Sequence, residues 1–330
     1  MAAAIAFTVC NFALFPYEKP AAWINRDKGA TSSIWKPGST IIHGTEGRGV
    51  YTVDGKGYLN EDKPLQEDDC TLVVGCSFTQ GKEVPMGSRY SDILNDKLSD
   101  DGTKLAVYNC SQDGYFFPDI ISGFNAVVSE FPDVDHIVLE ITQTDWDVKT
   151  LTSALKQRGY EEEQTGEKIV GTFSSKKRLF LTAKEMLPIY SVLKSQATSL
   201  KNRSTSTSPS DKKSFDEVAY REAMRKCLAL IRSEYKGDLI ILYHPYVNIV
   251  DNEGLVINGE KGTPIFAELC EENGIRFVDM SQPFLAAYEK DNTVPCGFGN
   301  TTMGKGHFNK AGHKIVAEEL YKVLSGEALQ

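Results

Sequence analysis

The sequence predicts an α/β fold: a three-layer α/β/α domain around a central parallel sheet of five strands. Three observations carry this. Short continuous apolar runs recur at 71–74, 105–109, 137–145, 239–243 and 275–278. Segments with helical apolar spacing lie between them. The apolar runs do not alternate with polar residues, as strands covered on both faces require. The chain has 330 residues, enough to bury a large core.

The elements follow in order. Thr71-Leu72-Val73-Val74 is a buried strand, and Leu-Ala-Val-Tyr-Asn at 105–109 is a second. Between them Tyr90, Ile93, Leu94 and Leu98 fall on one helical face. Ile120, Ile121, Phe124, Val127, Val128 and Phe131 mark a helix closed by Pro132. The third strand runs over 137–145, and helices at about 217–233 and 309–325 follow their own apolar stripes. A long insertion, at about 150–216, leaves the carboxyl end of the third strand. Its stretch Lys201–Lys213 is poor in apolar residues. It reads either as a lid over the site or as a solvated excursion.

Upstream of the domain at 67–330, residues 18–66 are rich in glycine, proline and aromatics, with no helical period. This leader is expected to wrap the main domain. Its Trp23 and Trp35 either line a substrate groove or simply pack. Residues 1–17 are apolar, and Ala2–Tyr17 carries no charge. That run is shorter than the roughly 20 residues that span a bilayer and lacks a basic leading region. It reads as a remnant of a membrane anchor, a buried element, or a weak signal sequence.

A net charge of −9 with dispersed Lys and Arg leaves no basic footprint for nucleic acid. The seven cysteines lack paired spacing, which argues against a disulfide framework or a zinc site.

Two segments carry chemistry. The first strand ends in Gly-Cys-Ser-Phe-Thr-Gln-Gly, 75–81, a small-residue turn that presents the hydroxyl of Ser77. Near the other end, Gly-His-Phe-Asn-Lys-Ala-Gly-His, 306–313, opens a helix. A serine hydroxyl attacks well only when a base takes its proton, and an imidazole does this near neutral pH. Ser77 and His307 are 230 residues apart, so only the fold can join them. His313, inside the helix, is expected to cap or pack, and Cys76 to pack behind the turn.

The turn at 75–81 resembles the first motif block of the SGNH, or GDSL, hydrolases, with Cys76 at their aspartate. The segment at His307 is similar to that family's last block. Cys110-Ser111-Gln112-Asp113-Gly114, following Asn109, resembles its Asn-x-Gly-x-x-Gly, with Ser111 for the first glycine. Ile-Thr-Gln-Thr-Asp, 141–145, resembles its Gly-x-Asn-Asp, with Thr144 for asparagine and Asp145 matching. The four blocks lie in the family's order over roughly 67–330.

The resemblance implies a flavodoxin-like strand order with the site at the carboxyl ends of the strands. It implies a serine esterase or O-acyltransferase working through a Ser77–His307 pair, on a small acyl ester such as acetyl on carbohydrate. It needs neither metal nor organic cofactor. The oxyanion donors implied are the N–H groups of Ser77 and Ser111 and the side chain of Thr144, with Gln143 as a substitute. Asn109, Asp145 and the strand-end His244 are expected against substrate. A cell-surface setting with membrane association through the N-terminus suits such a substrate. The sequence leaves the oligomeric state open.

One departure bears on the mechanism. The family's acid stands three residues before its histidine, and here that position is Gly304. A backbone carbonyl, a water, or an acid from elsewhere such as Asp279 is expected to orient His307, the first making a dyad. This departure and Thr144 also fit a catalytically weak glycan-binding protein that assists envelope polymer assembly.

Overall fold

In the computed structural model the described residues are 33–163 and 215–326, with short stretches outside them, among them Trp23–Arg26 and Val170–Gly171. The proposed lid stretch Lys201–Lys213 and most of residues 1–17 lie outside the described residues.

The central sheet comprises β5 (Thr71–Val74), β6 (Val107–Asn109), β7 (His136–Ile141), β9 (Asp238–Tyr243) and β12 (Arg276–Asp279). Its order is β12-β9-β7-β5-β6, and every pairing is parallel. This is the flavodoxin-like order, in which the direction of winding changes between β5 and β7. The crevice there lies at the carboxyl ends of the strands.

Alternate strand residues divide between two apolar cores. Leu72, Val74, Ile137, Leu139, Leu239 and Ile241 pack with α3 (Phe117–Glu130), α5 (Glu217–Glu234) and α6 (Thr263–Glu272). Val73, Val138, Ile240, Leu242 and Val278 pack with α2 (Tyr90–Leu98), α7 (Ser281–Asp291) and α8 (Lys310–Leu324). Both faces are covered, which is why the strand sequences do not alternate. The apolar helix stripes read from the sequence supply these layers. The third strand stops at Ile141, four residues earlier than its apolar run suggested, so Thr142–Asp145 form a loop at the site end. A hairpin of β10 (Val247–Val250) and β11 (Gly254–Ile257) follows β9.

The leader forms two small sheets. β1 (Trp23–Arg26) pairs antiparallel with β2 (Ser33–Trp35) and with β8 (Val170–Gly171), which follows α4 (Val148–Glu163). β3 (Thr40–His43) and β4 (Gly49–Thr52) make a hairpin whose loop is 44–48. Trp35, Ile41, Tyr51, Val53 and Leu59 form a third apolar cluster. The Tyr51 hydroxyl donates to the carbonyls of Gly81 (2.9 Å) and Val84, joining this cluster to the turn after Ser77. Asn60 covers the sheet edge: its amide donates to the Asn109 carbonyl (3.0 Å) and accepts from the Asn109 N–H (3.1 Å). Edge groups of β6 are thereby satisfied rather than left for another strand. No helix among the described residues is long and apolar enough to cross a membrane.

Candidate active site

Ser77 begins a one-turn helix, α1 (Ser77–Gln80), directly at the end of β5. The turn is anchored from below by Glu140 on β7, whose side chain is 1 % exposed. Glu140 Oε2 accepts from the Cys76 N–H (2.8 Å) and the Thr79 hydroxyl (2.8 Å). Its Oε1 accepts from His244 Nε2 (2.9 Å). Burial pushes the Glu140 carboxyl up, but the His244 bond and charge outweigh it and hold the carboxyl below its ordinary value. Cys76 packs behind the turn, where burial and the Glu140 charge push its thiol well up, away from nucleophilic thiolate chemistry.

His307 is delivered by the start of α8. Asn309 caps that helix, accepting from the N–H groups of Ala311 (2.9 Å) and Gly312 (3.1 Å). Segment 294–297 runs beside 307–309, with Gly297 N–H donating to the His307 carbonyl (3.0 Å). The imidazole thus arrives fixed, its Nε2 2.7 Å from Ser77 Oγ, with the Phe78 ring centred 4.9 Å away.

The acid is Glu46, at the tip of the leader hairpin. Its Oε2 accepts from His307 Nδ1 (2.8 Å) and its Oε1 accepts from the His307 backbone N–H (2.7 Å). Of the groups expected to orient His307, an acid from elsewhere in the chain is the one present, and it is Glu46 rather than Asp279. Asp279 is occupied at the start of α7, accepting from the Ser281 N–H (2.8 Å) and hydroxyl (2.6 Å). The arrangement is a Ser77–His307–Glu46 triad rather than a pair.

Gly306 admits the carboxylate, and Gly304 admits no acid of its own. Gly306 has φ +82°, and a Cβ there would stand 2.0 Å from Glu46 Oε1. Gly304 has φ +78°, and a Cβ there would meet Ile249 at 2.5 Å. The position where the resemblance expected an acid therefore has no room for one. The hairpin loop is held in place by Asn300, which accepts from Gly47 N–H (2.9 Å) and donates to the carbonyls of Gly44 (3.2 Å) and Gly47 (3.1 Å).

A second carboxylate stands nearby. Glu83, 2 % exposed, places Oε1 3.8 Å from His307 Nδ1 and 3.8 Å from His43 Nε2. Burial raises its carboxyl pKa. For His307, burial opposes the charged ring, but the Glu46 bond and the charges of Glu83, Glu46 and Asp113 outweigh it. Its pKa is raised above the ordinary imidazole value. With a carboxylate on Nδ1, that nitrogen carries the proton and Nε2 is left to accept from Ser77.

The remaining expected site residues divide. The loop after β6 lies against the nucleophile turn, with Gln112 N–H donating to the Gly75 carbonyl (3.1 Å). Ser111 is therefore adjacent, but its N–H donates to Asn109 Oδ1 (3.2 Å), and its hydroxyl donates to the same oxygen. Asn109 is not against substrate: its amide also donates to the Thr79 carbonyl (2.7 Å) and the Ser91 hydroxyl (3.0 Å), bracing the turn from inside. Thr144 is drawn elsewhere. Its hydroxyl donates to Glu260 Oε2 (2.7 Å), which also takes its N–H and that of Asp145. Gln143 donates to the Asp145 carbonyl (3.4 Å) within the same loop. Asp145 accepts from the N–H groups of Lys261 (3.2 Å) and Gly262, fixing the approach to α6. His244, 1 % exposed, is buried between Phe78 and Phe308 with ring centroids at 4.4 and 4.5 Å. It serves Glu140 rather than a substrate. His313 accepts from the Tyr90 N–H (3.2 Å), and burial pushes it down to about 3, so it stays neutral.

Among the described residues no group of three or more His, Cys, Asp or Glu side chains is arranged to hold a metal ion. The six described cysteines are buried free thiols.

No protein-family model and no curated protein matches this chain. Solved structures resemble it at low identity. An α/β hydrolase from the metagenome of Lake Arreo, Spain, is 14 % identical with a TM-score of 0.41, covering 79 % of this chain and 97 % of its own. An acetyl xylan esterase is 15 % identical with a TM-score of 0.41, covering 77 % and 98 %. The psychrotrophic esterase EstA from Pseudoalteromonas sp. is 11 % identical with a TM-score of 0.40, covering 79 % and 98 %. At these values the chemistry has to be argued from the site's own geometry.

Proposed function

We propose that the protein is a serine ester hydrolase or O-acyltransferase acting on small acyl esters, with acetyl groups on carbohydrate as the substrate class. The observation that carries this is the continuous chain Ser77 Oγ, His307 Nε2, His307 Nδ1, Glu46 Oε2, with links of 2.7 and 2.8 Å. A hydroxyl, a base and an orienting acid in this order are what nucleophilic acyl transfer needs.

Ser77 Oγ attacks the ester carbonyl carbon while its proton passes to His307 Nε2. The imidazolium is stabilised by Glu46, which keeps its own charge. The carbonyl oxygen becomes an oxyanion. Ser77 N–H lies in the first turn of α1, where helical N–H groups have no partner inside the helix, and supplies one donor. His307 then returns the proton to the departing alcohol, leaving an acyl-serine. Water, or another hydroxyl in the transfer case, repeats the cycle with the same base and frees Ser77.

A second reading has its own support. Thr144 is committed to Glu260, and the Ser111 N–H is committed to Asn109. An oxyanion site short of donors suits a slow enzyme or a glycan-binding protein in which the triad is vestigial. Hydrolysis of p-nitrophenyl acetate separates the two. The enzyme reading expects turnover that Ser77→Ala abolishes; turnover equal in the wild type and in folded Ser77→Ala overturns it.

A further inference from the structure

The buried carboxylates around the nucleophile turn are used differently. Glu140 accepts from three donors, the Cys76 N–H, the Thr79 hydroxyl and His244. Glu46 accepts twice from His307. Glu83 is buried just as deeply, yet its Oε2 has no hydrogen-bond partner. Its Oε1 lies 3.8 Å from His307 Nδ1 and 3.8 Å from His43 Nε2, close to both imidazoles and at bonding distance from neither. Burial works against its charge, and the groups that favour it are His307, His43, Lys82 and its own backbone N–H. Lys82 is itself paired with Asp113. A carboxylate buried with one oxygen unpaired costs stability that no bond to the scaffold offsets here. Beside a reacting imidazole, such a group points to the chemistry rather than to the packing.

Glu83 and Glu46 come to His307 from different layers. Glu83 belongs to the main domain, two residues past Gly81, which caps α1. Glu46 belongs to the leader hairpin, and that hairpin rests on the Glu83 backbone. Arg48 N–H donates to the Glu83 carbonyl (2.8 Å), and a Cβ on Gly47 would stand 2.1 Å from the same oxygen. His43, on β3, completes the cluster, with Thr45 Oγ1 3.4 Å from its Nε2. His307 Nδ1 thus has one carboxylate oxygen at 2.8 Å and a second at 3.8 Å. A side-chain rotation of Glu83 or a single bridging water spans the difference.

We propose that Glu83 is a second acid for His307, a positioning residue that takes the Nδ1 proton contact when the Glu46 carboxylate is absent. The leader then supplies the better-placed acid, and the main domain holds its own in reserve. Either carboxylate leaves the proton on Nδ1 and the lone pair on Nε2, where Ser77 needs it. The effect on catalysis rests on Ser77 being the nucleophile, whereas the contact between Glu83 and His307 does not.

Rates and an NMR signal test this separately. On p-nitrophenyl acetate, Glu46→Ala is expected to lose roughly 10 to 10² in kcat, and Glu83→Leu about threefold, because Glu46 is still present. Glu46→Ala/Glu83→Leu is expected to lose roughly 10³ to 10⁴, beyond the product of the single losses. The acid limb of the pH–rate profile should stay above 6.5 in Glu46→Ala and drop below it in the double variant, a change that lost packing does not produce. Should the leucine variant not fold, Glu46→Ala/Glu83→Gln keeps the shape, removes the charge and gives the same limb reading. At pH 6, with the ring charged, the Nδ1 proton of His307 bonded to a carboxylate is expected far downfield in the wild type and in Glu46→Ala, and absent in the double variant. Losses that simply multiply, a signal missing from Glu46→Ala, or one unchanged in the double variant overturns the proposal. Should no form turn over the ester, the nucleophile reading fails, and the NMR signal still decides the role of Glu83.

Discussion

Replacing Glu46 by glutamine changes one atom, yet it should harm catalysis more than removing the side chain. Glu46 makes two bonds to His307, and they differ in kind. Oε1 accepts from the His307 backbone N–H at 2.7 Å, which only an oxygen can do. In Glu46→Gln the amide oxygen keeps that place, so the amide nitrogen falls opposite Nδ1, at the present 2.8 Å. A donor there obliges Nδ1 to accept, which moves the ring proton to Nε2. Ser77 Oγ, 2.7 Å from Nε2, then faces a donor instead of a base. The wrong tautomer in a serine triad costs about 10⁴ in kcat, so a loss of about 10³ to 10⁴ is expected, or about 4 to 5.5 kcal/mol. Glu46→Ala leaves Glu83, whose Oε1 is 3.8 Å from Nδ1, to hold the working tautomer directly or through one water. Its loss is expected at roughly 10 to 10². The assay is kcat on p-nitrophenyl acetate at pH 8, with melting curves to establish folding. A Glu46→Gln enzyme within tenfold of wild type, or one faster than Glu46→Ala, would show that Glu46 does not set the His307 tautomer.

Four further outcomes follow from the same geometry. Gly304→Asp, which puts an acid three residues before His307, should raise no activity. It should lower stability by about 1 kcal/mol or more, because φ is +78° and Ile249 stands 2.5 Å from the new Cβ; urea unfolding measures it. The acid limb of kcat/KM should lie above the ordinary imidazole value of 6.5, with activity falling as pH drops through it, because His307 must be neutral to act. Glu83→Gln removes one of the three negative charges acting on the ring, Glu46 and Asp113 being the others, and should move that limb downward in a pH–rate profile. Glu140→Ala strips His244 and the nucleophile turn of their shared buried partner and should cost about 3 to 5 kcal/mol at pH 7 by denaturant unfolding. Glu140's folded pKa is lowered, so its contribution is present above the unfolded carboxyl value of 4.5. The wild-type advantage should therefore shrink as pH falls through the folded value.

Much of the frame was legible because its causes are local. Leu72, Val73 and Val74 are wholly buried, and a strand sandwiched between layers must be apolar at every position. Ser77 and His307 were legible as a strand-end hydroxyl and a helix-start imidazole. Glu46 was not. It is a single carboxylate between Thr45 and Gly47 in a hairpin loop, 261 residues from its partner, and no periodicity marks it. The one available sign was that Gly304 left a charge unsupplied while the leader carried an acid among glycines, in Gly-Thr-Glu-Gly-Arg-Gly. The misplaced residues share one cause. Motif position locates a backbone, but the use of a donor depends on which acceptor reaches it. Glu260 takes Thr144, the side-chain oxygen of Asn109 takes Ser111, and Glu140 takes His244. Glu260 and Glu140 come from elsewhere in the chain, while Asn109 lies within the block itself.

Activation of Ser77 by His307 and Glu46 is read out by covalent trapping. The protein is incubated with diethyl p-nitrophenyl phosphate, and the modified peptide is identified by mass spectrometry. One diethylphosphoryl group is expected, on Ser77, formed far more slowly in His307→Ala and in Glu46→Gln. Label on another residue, or labelling of Ser77 at an unchanged rate in both variants, contradicts it.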